Sequence, residues 1–446
     1  MPTARTGTSG KSRKGCNHTI TPPAWVVVDW TELLPPDDAP ANDDTERDLI
    51  LWHVLRKLDD WAALNDLRTD PRLGDREPRE YRRAAAPAPV VEDLLRDLSS
   101  LNAHTDRESV VTAALGVSVW AESVGKTLLA LRFAEAAAAC DPFDPAPANL
   151  AGRLARTIGM AHRADLWYSR GIGLARARRW SACYVRAHIG YGALHKEIGR
   201  TARALELFSR GSWRAQKTGI KWLAGEVTHD MLLLAISERA FTEAEKYAAR
   251  ALGIYPKHHD RMPALVHDIG LLCARQSAFT LAYPLLARVV GLVPKPHEKL
   301  IVWSTLAYSA AGAEELEAYN EARAAVLEMV ERFPGAGPVT MVNLAFAAHI
   351  RRDWSGAADF ARRALDLAGS NSIHSEAVRY ARKLLLDVDR RAPASPSGLL
   401  ARGGGAAEPQ ALRPLYEMCL RLITRWHGRT WRERRHQAEA GAFGAA

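Results

Sequence analysis

The chain has 446 residues, 47% of them hydrophobic and 25% charged, a length that exceeds one compact core and leaves either several globular domains or one repeat array. Its formal charge of +9 is supplied entirely by the ends, by Arg5, Lys11, Arg13 and Lys14 and by seven arginines set against Glu417 and Glu433 over 412–436. The body is therefore neutral, which excludes a broadly basic face for nucleic acid. No stretch reaches the roughly 18 apolar residues of a membrane span, and five scattered cysteines (Cys16, Cys140, Cys183, Cys273, Cys419) lack metal-ligand spacing and point to a reduced, cytoplasmic protein.

In chain order, residues 1–44 mix Gly, Ser, Pro and Asp without periodicity and are expected to be disordered. From the N-cap candidate Thr45, the residues Leu49, Trp52, Leu55, Leu58 and Trp61 recur at helical spacing and predict a helix to Leu67. A proline-rich piece, Ala84–Pro89, leads into a second short helix, Val90–Leu101. Together 45–110 read as a helical N-terminal extension.

A repeat follows. Counting Val185 as position 1, Gly192, His195, Gly199, Thr201, Ala204, Phe208 and Gly211 fall at positions 8, 11, 15, 17, 20, 24 and 27. The same frame, anchored on its position-20 alanine, fits Ala130, Ala164, Ala204, Ala244, Ala282, Ala322 and Ala357, with gaps of 34 to 40 residues. Pro256 and Pro294 at position 32 are expected to stop the second helix of their copies. The copies at 111–144 and 303–336 are the weakest, the latter for want of a clear first helix. This spacing resembles the tetratricopeptide repeat, in which small residues at 8 and 20 let two antiparallel helices approach. The resemblance covers 111–371 and implies an all-α, right-handed superhelical solenoid of about seven hairpins, each burying its apolar face against the next. Gaps longer than 34 residues require either inserted turn residues or longer helices.

Beyond the array, Ser375–Asp389 reads as an amphipathic capping helix within 372–391, and 392–411 as a flexible linker. In 412–446, Leu415, Cys419, Leu422, Ile423 and Trp426 form one stripe opposite arginines. This basic amphipathic helix has three readings: docking on the array, partner binding, or a nucleic-acid contact.

Catalytic and cofactor signatures are lacking. Gly125-Lys126-Thr127 ends like a phosphate-binding loop, but Trp120 stands where that motif needs glycine and no strand pattern precedes it, so the triplet reads as the turn of a repeat. No enzyme activity, cofactor or metal is expected. His229-Asp230 and His267-Asp268 occupy positions 5 and 6 of neighbouring copies. The resemblance places positions 2, 5, 9, 12 and 13 on a concave groove, to which it also assigns Arg153, Arg156, Arg186 and Lys196. Two readings stay open: His–Asp pairs that fix helix packing, and a ladder that reads a partner. The cations suit an acidic segment. The expected function is a protein-interaction scaffold holding a peptide or protein segment in that groove. The alternative is a regulator whose C-terminal helix meets nucleic acid.

Overall fold

Alanine lets two helix backbones approach closely, and the seven position-20 alanines are all 0% exposed. The computed structural model describes residues 105–256, 259–293, 296–369, 374–390 and 411–426, with isolated positions between 54 and 101. Among these residues the helices pair into seven antiparallel hairpins: α1 (Arg107–Ser123) with α2 (Thr127–Cys140), α3 (Pro145–Thr157) with α4 (Ala161–Ala177), α5 (Ser181–Glu197) with α6 (Thr201–Lys217), α7 (Lys221–Ser237) with α8 (Phe241–Ile254), α9 (Met262–Arg275) with α10 (Phe279–Val289), α11 (Pro296–Gly312) with α12 (Leu316–Met329), and α13 (Gly337–Ile350) with α14 (Trp354–Ala368). Two helices follow, α15 (Ser375–Asp389) and α16 (Leu412–Trp426). No strand occurs among the described residues. The result is a solenoid of tetratricopeptide-like hairpins, and both weak copies of the repeat form hairpins.

One turn serves every hairpin. Three residues join the two helices and the middle one is left-handed: Gly125, Gly159 and Gly199 at φ 84°, 85° and 78°, then Arg239, Ser277, Glu314 and Arg352 at 60° to 64°. The third residue's amide closes the turn on a carbonyl five residues back, as Arg200 N does on His195 O at 2.7 Å and Asp353 N on Ala348 O at 2.9 Å. This bonding satisfies carbonyls that a helix end otherwise leaves bare. Gly125-Lys126-Thr127 is such a turn and not a phosphate loop.

Small residues act where the repeat needs them. A Cβ built on Gly192, at position 8, would lie 2.5 Å from the Phe208 ring at position 24. Helices α4 to α8 begin every twenty residues, at Ala161, Ser181, Thr201, Lys221 and Phe241. The 40-residue gaps from Ala164 to Ala204 and from Ala204 to Ala244 therefore arise from 17-residue helices joined by three-residue turns, whereas the gap from Ala282 to Ala322 includes the six residues 290–295 between α10 and α11.

That regularity stops after hairpin four. Seven residues, 255–261, separate α8 from α9, and α16 packs against α8, α9 and α10 at this joint. Leu412, Leu415, Cys419 and Ile423 of α16 are buried in the same core as Ile269, Leu272 and Cys273 of α9. Burial pushes the Cys419 thiol well up. The basic C-terminal helix is thus seated on the array by its apolar stripe.

Segments beyond α12 also reach back to hairpins two and three. Ser375 Oγ, at the start of α15, donates to the Glu197 carbonyl at the end of α5 at 2.6 Å. Gly335 leaves no room for a side chain, since its Cβ would stand 2.6 Å from the Thr157 carbonyl oxygen. The turns of hairpins two and three are therefore held against segments from beyond α12. At the N-terminal end Val54, Leu55, Leu58 and Leu98 are buried against the first hairpin. The expected segments 1–44 and 392–410, and most of both N-terminal helices, lie outside the described residues.

Candidate functional site

The first helices of the hairpins carry polar side chains where their neighbours are apolar, and a buried polar group holds its place only with a partner. In α7, α9, α11 and α13 those partners are each other. Asp268 stands between two imidazoles, with His229 Nε2 at 2.6 Å and His267 Nδ1 at 2.8 Å. Burial opposes charge on this carboxyl, but hydrogen bonds from His229 and His267 overcome it and hold Asp268 well below the usual carboxylate range. An ionised carboxylate only accepts, so each ring presents an N–H to it. His229 Nδ1 then faces the Tyr255 hydroxyl at 3.3 Å. On the other side His267 Nε2 lies 3.1 Å from Thr305 Oγ1, and Asn343 Nδ2 donates to Ser304 Oγ at 3.0 Å. The chain of contacts spans hairpins four to seven. It ends at Asn343 Oδ1, a buried acceptor with no hydrogen-bond partner among the described residues.

A second, half-buried set of charges lies on the first helices of hairpins one to four. Arg153 grips Glu122 through both nitrogens at 2.5 and 2.7 Å, the forked geometry that guanidinium favours. Arg156 pairs with Glu197, whose carbonyl also holds Ser375. Arg261, in the joint, lies 3.2 Å from Asp230 and 3.8 Å from Glu226. Burial works against charge on Arg261, yet Asp230, Tyr255 and Glu226 keep it firmly protonated. Burial pushes the Glu226 carboxyl up, opposed by Arg261 and Arg186. The His259 ring, lowered by its burial, stacks on Tyr255 at 4.2 Å. Arg186 lies over the Trp222 ring at 5.0 Å.

The expected groove residues therefore part into two groups. His229, His267 and Asp268 come together in one buried cluster, with Asp230 beside it on Arg261. Arg153, Arg156 and Arg186 belong to the charged set, and there Glu122, Glu197, Glu226 and Asp230 match the arginines, Arg261 included. The face is charge-balanced, not cationic. Lys196 is half-buried and makes no ion pair among the described residues. Sequence reasoning missed Tyr255, Arg261, Thr305, Asn343, Glu122 and Glu197. Asn343 alone carried a visible signal, as a polar residue inside the apolar run Met341–Ala348.

Among the described residues no group of three His, Cys, Asp or Glu side chains could hold a metal ion, and no helix is long and apolar enough to cross a membrane. The sequence matches no protein-family model, and no curated protein is similar to it. Solved structures to which the chain aligns include a Rap protein complexed with competence and sporulation factor, at 11% identity over 76% of this chain and 98% of that one, with a TM-score of 0.41. A Rap conjugation gene regulator in complex with a Phr peptide aligns at 13% identity over 77% and 97%, with a TM-score of 0.43. PilF of Pseudomonas aeruginosa aligns at 14% identity over 60% and 97%, with a TM-score of 0.29.

Proposed function

We propose that this chain is a non-enzymatic, cytoplasmic scaffold that holds a peptide or protein segment on the polar face of its first helices. The observation that carries the reading is the half-buried, charge-balanced line from Glu122–Arg153 through Arg156–Glu197 to Arg261 with Asp230 and Glu226. A surface arranged only for solubility leaves its long charged side chains free in water, because holding them in pairs there yields little. Here neighbouring hairpins present fixed donors and acceptors side by side, and a peptide backbone has both to offer. A strongly acidic partner would compete with Glu122 and Glu197 for their arginines, so the face suits a segment of mixed charge better than a carboxylate-rich one. The scattered cysteines support the intracellular location.

Panning a random-peptide library on the full chain, followed by calorimetry on the selected sequences, tests this. Arg153→Ala combined with Arg186→Ala should weaken the selected peptides by about tenfold or more, the scale of one or two charge-assisted contacts, with the thermal midpoint little changed. Selected peptides that bind the double variant as well as the parent would remove the face from consideration.

A further inference from the structure

The joint between hairpins four and five, residues 255–261, turns on one histidine. His259 N donates to the Pro256 carbonyl at 3.0 Å, and its own carbonyl accepts from Met262 N at 2.9 Å. The ring, 13% exposed, is held as closely as the backbone. Its Nδ1 accepts the Arg261 amide at 3.2 Å, and its Nε2 stands 3.8 Å from Glu226 Oε1. Its face stacks on the Tyr255 ring at 4.2 Å and 9°, with Trp222 at 6.4 Å. Backbone and side chain of His259 thus both fix the path of the joint.

A ring nitrogen that accepts an N–H carries no proton of its own. The Arg261 bond therefore requires the neutral imidazole, with its one N–H on Nε2 toward Glu226. An imidazolium donates from both nitrogens and would set an N–H against the Arg261 N–H. Burial holds the ring below its ordinary 6.5, opposed by Asp260 of the joint and assisted by Arg261, by His229 of α7 and by Arg186 of α5. Glu226 of α7, at 3.8 Å, also favours a proton on the ring. It cannot open the joint by its own titration: burial pushes the Glu226 carboxyl up, so it takes up a proton more readily in the closed joint than in an opened one.

We propose that His259 is a proton-operated latch: in mild acid it releases the Arg261 amide and loosens the step between hairpins four and five. The sign follows from the two states of the ring. In an opened joint the imidazole regains its ordinary 6.5, so the opened state binds the extra proton and gains on the closed one as pH falls through that value. The place suits such a device. No three-residue turn braces this step of the array, and the Arg261 freed there is the partner of Asp230 and Glu226. The latch acts without any bound partner.

The test is hydrogen exchange on the full chain at about pH 7.5 and about pH 5.5, corrected for intrinsic amide rates. Opening of the amides from 259 to 268 should rise severalfold at the lower pH, with a ceiling of about tenfold one unit below the ordinary histidine value. His259→Asn keeps a side-chain oxygen two residues before the Arg261 amide, the geometry of an Asx turn, and takes up no proton. Its opening should be the same at both pH values. Glu226→Gln should open with acid at least as much as the parent. An acid response in His259→Asn equal to the parent's, or its loss in Glu226→Gln, would assign the proton elsewhere and overturn the proposal. An NMR titration of the parent that places the His259 ring at or above 6.5 would overturn it without any variant.

Discussion

Hairpins two to four and the joint that follows them are built on different terms. Helices α3 to α8 are linked throughout by three-residue turns, so each helix fixes the next through bonds a few residues long. Between α8 and α9 seven residues intervene, and the contact is completed from afar: α16 fills it with apolar side chains, and the pair His229 and Asp268 crosses it from α7 to α9. A solenoid ordinarily gains its stability from nearest neighbours. This one has a position where a non-neighbouring helix and a buried hydrogen-bonded contact supply that interface.

The contrast is broken most severely at α16. Ile423 is fully buried, and Ile423→Asp should unseat the helix at a cost of about 4 kcal/mol, since a carboxylate replaces a packed aliphatic side chain. In hydrogen exchange the amides of α8, α9 and α10 should open while those of α3 to α6 keep their protection. Equal loss of protection in α3 to α6 would mean that the two regions are one cooperative unit.

A smaller effect tests the polar link across the same joint. Asp268→Asn leaves His229 and His267 facing an amide and should destabilise the array by about 2 kcal/mol near neutral pH. The sign with pH follows from the lowered Asp268. Its contribution is complete above the ordinary carboxyl value of 3.8 and is lost as pH falls through the lower value in the folded chain. Thermal midpoints of parent and variant should therefore converge on acidification below about pH 4. A constant gap down to pH 2 would show that the carboxylate charge contributes nothing.

The smallest effect concerns the turns that both regions share. Arg239 and Ser277 occupy the left-handed position that Gly125, Gly159 and Gly199 fill earlier in the chain. A side chain there costs about 1–2 kcal/mol, partly recovered by the lower freedom of a non-glycine residue when unfolded. Arg239→Gly and Ser277→Gly should each raise stability by roughly 0.5–1 kcal/mol, and Gly199→Ala should lower it by a similar amount. Denaturant midpoints decide it. A loss of stability in Arg239→Gly would mean that the turn tolerates side chains without strain.

Much of this molecule was legible one residue at a time. The spacing of Ala130, Ala164, Ala204, Ala244, Ala282, Ala322 and Ala357 named seven hairpins, because a position where two helix backbones touch admits little else, and helix periodicity placed Ser375–Asp389. The first helix of the sixth hairpin was hard to read for a related reason. It is buried on nearly every side from Leu300 to Ala311, and a helix without a solvent face shows no amphipathic stripe. The left-handed turns at Arg239, Ser277, Glu314 and Arg352 were equally hidden, since only glycine advertises that conformation in a sequence. What the tertiary structure alone decided are the pairings across thirty residues or more: Glu122 on Arg153, Glu197 on Arg156, Asp268 on His229, and α16 at the joint. Local patterns report which faces are apolar. They carry no record of which distant charge meets which, and that pairing turned a row of expected cations into a balanced face.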